Sequence, residues 1–265
     1  MTYEWAYCTD KGAKRRNNQD ALLLKKALRD GEEAVLAVLC DGMGGLEKGE
    51  LASASAVQAF SRWFEEDFPG IGLKNAGEKA VFSSWEVLLQ KLNERISAYG
   101  RRRRFLLGTT VTAVLFFKGR YCVAHVGDCR LYEITDRVWQ ITKDQTLLQR
   151  EVDLGRLTLE EARKDGKGHV LLQCVGASKE VEPAYRAGRI PKEALYLLCC
   201  DGFWRGTDSR ELLAIFGIGK MRNPDVLHRR LKEMAFKNRS RGEQDNISAA
   251  GILCSRKKRP GEWDA

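Results

Sequence analysis

Ala34-Val-Leu-Ala-Val-Leu-Cys40 runs without a break into Asp41-Gly42-Met43-Gly44-Gly45. A short, continuous apolar run bounded by turn residues reads as a buried strand. Its end puts a carboxylate at the mouth of that strand, which is unfavourable unless the charge is paired or bound to an ion. The glycines let the backbone bend tightly and come close to a ligand that a Cβ would hold off. The same design recurs where Ala194-Leu-Tyr-Leu-Leu-Cys-Cys200 meets Asp201-Gly202, and where Tyr121-Cys-Val-Ala-His-Val126 meets Gly127-Asp128. Asp245-Asn246 opens the last strand of the chain and Asp20 the first. Any one Asp-Gly also fits an ordinary turn, and periodicity does not tell whether these aspartates meet. If they do, they repel one another and a divalent cation offsets the repulsion. Carboxylate, water and carbonyl ligands, the last available from Gly42, suit Mg²⁺ or Mn²⁺.

Outward from the 34–45 stretch, residues 19–27 and 33–40 read as strands joined by Arg29-Asp30-Gly31-Glu32. Apolar residues at helical spacing predict two long helices. Val57, Phe60 and Phe64 mark one over 48–66; Val81, Trp85, Leu88 and Leu92 mark the other over 76–99. Residues 109–142 are β-rich, 146–190 are polar and mixed with a short helical signal at 158–164, and 194–200 form a strand. Helices are expected at 208–216 and 224–236, and a closing strand at 246–254. Neither half has enough strands for a sheet of its own, so the pattern predicts a single α+β domain, with helices outside the sheets. That domain covers residues 1–255, and a basic tail follows at 256–265.

Composition narrows the function. Only three histidines are present, without metal-ligand spacing, which argues against a zinc hydrolase built on imidazoles. None of the eight cysteines forms a Cys-x-x-Cys pair, and several lie in apolar runs; small buried hydrophobes are expected. No apolar run approaches a membrane span and the first residues carry no secretory pattern, so a cytoplasmic setting is expected. The net charge of +9 raises nucleic-acid binding, centred on Arg101-Arg102-Arg103-Arg104 and Arg256-Lys257-Lys258-Arg259. No aromatic interleaving or nucleic-acid motif accompanies either run. They are read as solvated charge favouring acidic or phosphorylated partners, the first in a loop before a strand.

Taken together, the segments from Thr9 to Leu253 resemble the metal-dependent protein phosphatase family, type 2C or PPM, in its compact bacterial form. The resemblance is carried in order by Gly12-x-x-Arg15-x-x-Asn18-Gln19-Asp20-Ala21, Asp41-Gly42-Met43-Gly44-Gly45 and Gly108-Thr109-Thr110. It continues through Val126-Gly127-Asp128-Cys129-Arg130, Ile141-Thr142-x-Asp144, Cys200-Asp201-Gly202 and Asp245-Asn246-Ile247-Ser248. It implies a four-layer α-β-β-α sandwich whose two central sheets are mainly antiparallel. It also implies that Asp41 bridges two Mn²⁺ or Mg²⁺ ions, one shared with Asp201 and Asp245 and the other with the Gly42 carbonyl. Asp20 would order the ions' waters, Asp128 with Asp201 would hold a third ion, and Arg15 would clamp the substrate phosphate. The implied reaction is in-line attack of a metal-activated water on phosphoserine or phosphothreonine in proteins, reversing a cognate kinase, by a monomer. Residues 146–190 would form a flap whose Gly155, Gly166, Gly168 and Gly176 permit movement beside the site. His169 is read as packing in or near the strand that follows.

The chain departs from the family pattern at several points. Gln19 stands for Glu, Met43 where animal members carry a proton-donating His, Gln145 for His, and Cys129 and Cys200 for Ser. Arg205 lies where some members carry another acidic metal ligand, which places the third ion in doubt. Cys199 and Cys200 close an apolar strand, and packing rather than nucleophilic attack is their expected role. Gln19, Gln145 and Arg205 also motivate a second reading, a regulatory module that keeps the fold with little turnover.

Overall fold

The computed structural model describes residues 1–29, 31–43, 48–71, 77–164, 170–221 and 223–256. Asp30, Gly44, Gly45, Gly166, Gly168, His169 and the tail from Lys257 onward, all invoked above, lie outside the described residues. The strands are β1 (Thr2–Asp10), β2 (Ala21–Arg29), β3 (Glu32–Cys40), β4 (Val111–Phe117) and β5 (Arg120–Val126). They continue with β6 (Arg130–Ile134), β7 (Val138–Gln140), β8 (Ala184–Arg189), β9 (Glu193–Cys199) and β10 (Ile247–Ser255). They form two five-stranded antiparallel sheets, ordered β1-β10-β9-β6-β7 and β2-β3-β4-β5-β8. The helices are α1 (Gly49–Arg62), α2 (Gly77–Arg103), α3 (Leu147–Asp153), α4 (Leu159–Lys164), α5 (Asp201–Trp204), α6 (Ser209–Phe216) and α7 (Pro224–Ser240).

Strand β3 shows why its sequence is apolar from Ala34 onward. Side chains alternate across a sheet: Val35, Ala37 and Leu39 join Tyr3, Leu131 and Tyr196 in the core between the sheets. Ala34, Leu36, Val38 and Cys40 join Phe60 and Trp85 of α1 and α2. Both faces are covered from Ala34 to Cys40, which favours apolar side chains at every position there. Helix α7 lies against β1 and β10 on the other outer face, which completes the α-β-β-α sandwich. No described helix is long and apolar enough to cross a membrane.

Three local expectations change. The arginine run is not a loop: α2 continues through Arg103, because its buried stripe of Val81, Trp85, Leu89, Leu92 and Ile96 extends to Gly100. Residues 184–189, inside the 146–190 segment, are the edge strand β8 paired with β5. Strand β1 was not anticipated; it pairs only with β10, along its full length. All eight cysteines are free and buried, as expected.

Antiparallel pairing gathers the strand ends that matter. β3 pairs with β2 and β4, so the end of β3, the start of β2 and the start of β4 share one rim. In the second sheet the end of β9, the start of β10 and the end of β1 do the same.

Candidate metal centre

Asp41 caps β3 with its backbone fixed on both sides. Its N–H donates to Thr110 Oγ1 (2.9 Å), and its carbonyl accepts from the Thr110 N–H and the Thr109 hydroxyl, both at 2.9 Å. The Gly42 N–H donates to the Gln19 carbonyl at 3.1 Å. A Cβ at Gly42 would stand 2.5 Å from that same oxygen and 2.6 Å from the Gly49 carbonyl oxygen, so only glycine fits. Asn246 ties the N-terminal loop to β10: its Oδ1 accepts from the Gln19 N–H, and its Nδ2 donates to the Lys11 and Asn17 carbonyls. Asp20 is thereby delivered beside Asp41, one carboxylate oxygen from each lying within 4.8 Å of the other and of Cys200 Sγ.

Asp41, Asp128, Asp201 and Asp245 line one cleft of about 760 Å³ together with Arg15 and Arg205. Arg15 Nη2 donates to Asp245 Oδ2 at 2.7 Å. Arg205 pairs with Asp201 Oδ2 one helical turn earlier. Both carboxylate oxygens of Asp20 and Oδ1 of Asp201 are out of solvent without a hydrogen-bond partner. Such groups are unfavourable in a folded protein unless something else binds them.

The electrostatics agree. Burial, and then the charges of Asp20, Asp201, Asp128 and Asp245, hold the Asp41 carboxyl well above the usual range. Burial with Asp201 and Asp144 does the same to Asp128. Burial with Asp245 and Glu243 raises Asp201 against the opposing pull of Arg205. Asp20 is pushed up to about 7, by burial and then by Asp201 and Asp245, against the opposing pull of nearby Ser248 and Cys200. Converging acids that resist ionisation, with orphaned oxygens and no imidazole among them, fit hard divalent cations. Among the described residues the one deeply buried histidine is engaged elsewhere: His125 contacts Thr112 Oγ1 and the Lys143 carbonyl, and burial lowers it to about 4.

The departures acquire structural meanings. Gln19 turns away from the cleft and donates to Glu50 Oε2 at 3.2 Å. Gln145 holds the turn before Asp128, its Oε1 accepting from the Gly127 N–H at 2.8 Å and its Nε2 donating to the His125 carbonyl. Arg130 makes a two-pronged bond to Asp144 at 2.9 and 2.7 Å and stacks 3.3 Å over the Trp204 ring. Trp204 in turn donates to the Asp128 carbonyl. Cys199 and Arg205 fall at the Cys-x5-Arg spacing of cysteine-nucleophile phosphatases. Cys199 is buried within β9 with its thiol directed at the Arg130 carbonyl, and burial raises it, so it is no nucleophile. Cys200, also raised by burial, contacts the Asn246 carbonyl and the Ser248 N–H as a structural thiol. Lys14 and Glu243 line the cleft without having been anticipated; no spacing signal marks them.

Residues 11–218 match the family profile described as protein phosphatase 2C. The chain belongs to the protein phosphatase 2C family. It is 31% identical over 251 residues to the serine/threonine protein phosphatase PstP of Mycobacterium tuberculosis, which covers 94% of this chain and 44% of PstP. This phosphatase 2C chain therefore spans less than half the length of that relative. Among solved structures, serine/threonine phosphatase Stp1 from Staphylococcus aureus aligns with a TM-score of 0.82 at 25% identity, covering 97% of this chain and 96% of Stp1. The catalytic domain of PstP in complex with two manganese ions aligns with a TM-score of 0.77 at 28% identity, covering 96% of this chain and 99% of that one.

Proposed function

We propose that this phosphatase 2C chain is a Mn²⁺- or Mg²⁺-dependent serine/threonine phosphoprotein phosphatase that opposes a serine/threonine kinase, as a cytoplasmic monomer. One observation carries the reading: buried, partnerless carboxylate oxygens of Asp20 and Asp201 open onto the same acidic cluster as Asp41 and Asp245, beside an arginine. The manganese complex of the PstP catalytic domain supports it.

In this reading Asp41, the Gly42 carbonyl, Asp201 and Asp245 hold two ions, Asp20 orders their waters, and Asp128 with Asp201 faces a third position. Bound ions would supply a water of lowered pKa and neutralise the phosphoryl oxygens. Arg15 binds the phosphate; its fork carries five donors, of which the bond to Asp245 uses one. Met43 lines the cleft and has no proton to give, so the departing serine or threonine oxygen takes its proton from water. The flap reading of 146–190 is carried here by Leu171, which lines the cleft.

The test is Mn²⁺-dependent phosphate release from a phosphothreonine peptide, compared between the natural protein and Asp41→Asn. Loss of at least about 100-fold is expected, since removing one electrostatic stabiliser commonly has effects of that order; full activity in the variant would refute the assignment. The Arg205–Asp201 pair favours one alternative, a regulatory module with weak turnover. Calorimetric titration with Mn²⁺ separates the two: binding of two ions with turnover excludes the module, and absent binding supports it.

A further inference from the structure

Several basic side chains elsewhere on this protein are matched by acids. Arg120 pairs with Glu78, Arg156 with Glu151, Arg239 with Asp10 and Arg241 with Glu211. The run Arg101 to Arg104 instead concentrates four consecutive guanidinium groups at one place. All four are exposed, and among the described residues none has a carboxylate within 4 Å. Arg101 donates to Ser97 Oγ at 2.8 Å, and Arg103 lies 5.9 Å from the Tyr99 ring. Helix-dipole stabilisation accounts for a cation or two in the last turn of α2. It does not account for Arg104, which lies past that turn with φ +61, in the left-handed conformation where glycine is the favoured helix stop. A guanidinium is thus kept at a position where local backbone preference asks for no side chain at all.

Beside it is a cavity of about 280 Å³ lined by Arg101, Arg104, Phe105, Leu106, Leu107 and Ala177, among others. Leu106 is 64% exposed. The cavity adjoins the catalytic cleft. A side chain at Gly108 would meet Met43 Sδ at 3.1 Å and Ala177 Cβ at 3.3 Å, and Met43 lines the cleft as Ala177 lines the cavity. Leu107 in the cavity and Thr110 in the cleft are three residues apart, a span of about 10 Å for extended chain.

We infer that this surface docks an acidic segment of the phosphoprotein substrate. The segment carries an apolar side chain flanked by Asp or Glu, about three to six residues from the phosphorylated residue, a spacing set by that span. The apolar side chain enters between Phe105, Leu106 and Leu107, and the carboxylates meet the unpaired guanidinium groups. The inference rests on the phosphatase reading above and extends it from chemistry to substrate choice. Peptide is favoured over nucleic acid because the floor is a pocket of Phe105, Leu106 and Leu107, with one ring and no row of exposed rings on which successive bases stack.

The experiment uses two fluorescent phosphothreonine peptides, one with Glu-Leu-Glu-Glu three to six residues from the phosphothreonine and one with Gln-Leu-Gln-Gln. Anisotropy measures binding, and phosphate release gives KM and kcat separately. The natural protein should favour the acidic peptide about ten-fold in Kd and KM with similar kcat, as expected for two or three exposed ion pairs. Arg101→Gln/Arg104→Gly should abolish the preference and leave hydrolysis of p-nitrophenyl phosphate unchanged. Arg104→Gly relieves the left-handed backbone, so the variant is expected to fold; Arg101→Gln alone, expected to lose part of the preference, gives a second reading. Equal treatment of the two peptides by the natural protein would overturn the inference, as would a preserved preference in the variants. An oligonucleotide that competes as well as the acidic peptide would also overturn it. Absence of Mn²⁺-dependent p-nitrophenyl phosphate hydrolysis would sink the phosphatase reading instead, and anisotropy would still decide the docking surface.

Discussion

Replacing Asp20 with asparagine should make the ion-free protein more stable, and only above mildly acidic pH. Asp20 as a residue keeps some exposure, yet both its carboxylate oxygens are out of solvent and without hydrogen bonds. Burial, with the charges of Asp201 and Asp245, raises it from 3.8 to about 7. A raised carboxyl binds its proton more tightly in the folded than in the unfolded state. Folding is therefore unpenalised below the unfolded value near 4, loses stability as the pH climbs from about 4 to 7, and carries the full penalty above 7. Three pH units correspond to about 4 kcal/mol as a ceiling. Asp41 and Asp201 share the repulsion, so asparagine should recover about 2–4 kcal/mol at pH 8 and close to none at pH 4. For a chain of this size that is a rise in Tm of about 5–15 °C. The assay is thermal unfolding of both proteins in EDTA from pH 4 to 8, repeated with saturating Mn²⁺, which should stabilise the natural protein more than the variant. A pH-independent difference between the two, or a variant no more stable at pH 8, would refute the picture of an acidic cluster awaiting cations.

Gly42→Ala would place a methyl group against two backbone carbonyl oxygens; calorimetry should show Mn²⁺ affinity falling at least about ten-fold, and urea unfolding a loss of about 1–3 kcal/mol. Arg205→Ala frees Asp201 Oδ2 and removes a fixed cation from the cleft. Titration of this variant should show tighter Mn²⁺ binding or an additional ion, and an unchanged isotherm would show that Arg205 does not compete with metal. Arg130→Ala leaves Asp144, 9% exposed, without its guanidinium partner; a loss of about 3–5 kcal/mol is expected in denaturant unfolding, and a loss below about 1 kcal/mol would contradict it.

Local physics made much of this protein readable from its residues. The period of the apolar positions marked α1, α2, β3 and β9, and the aspartates stood out because charge at the end of a buried strand demands an explanation. The ordered motifs between Gly12 and Ser248 tied those aspartates to a family. Strands β1 and β8 escaped notice because an edge strand buries only part of its surface: β1 alternates irregularly, and Ala184-Tyr-Arg-Ala-Gly-Arg189 has no apolar face of its own. Their place follows from backbone pairing with β10 and β5, which leaves no mark in hydrophobicity. The meaning of Gln19, Gln145 and Arg205 was equally hidden, since an amide or guanidinium can serve any acceptor in reach and only tertiary contact chooses one. Residue type determined which groups had to find a cation, while antiparallel register in two stacked sheets decided that Asp41, Asp128, Asp201 and Asp245 would face one cleft, because distances between residues far apart in sequence are set by the packing of the sheets and not by the chain between them.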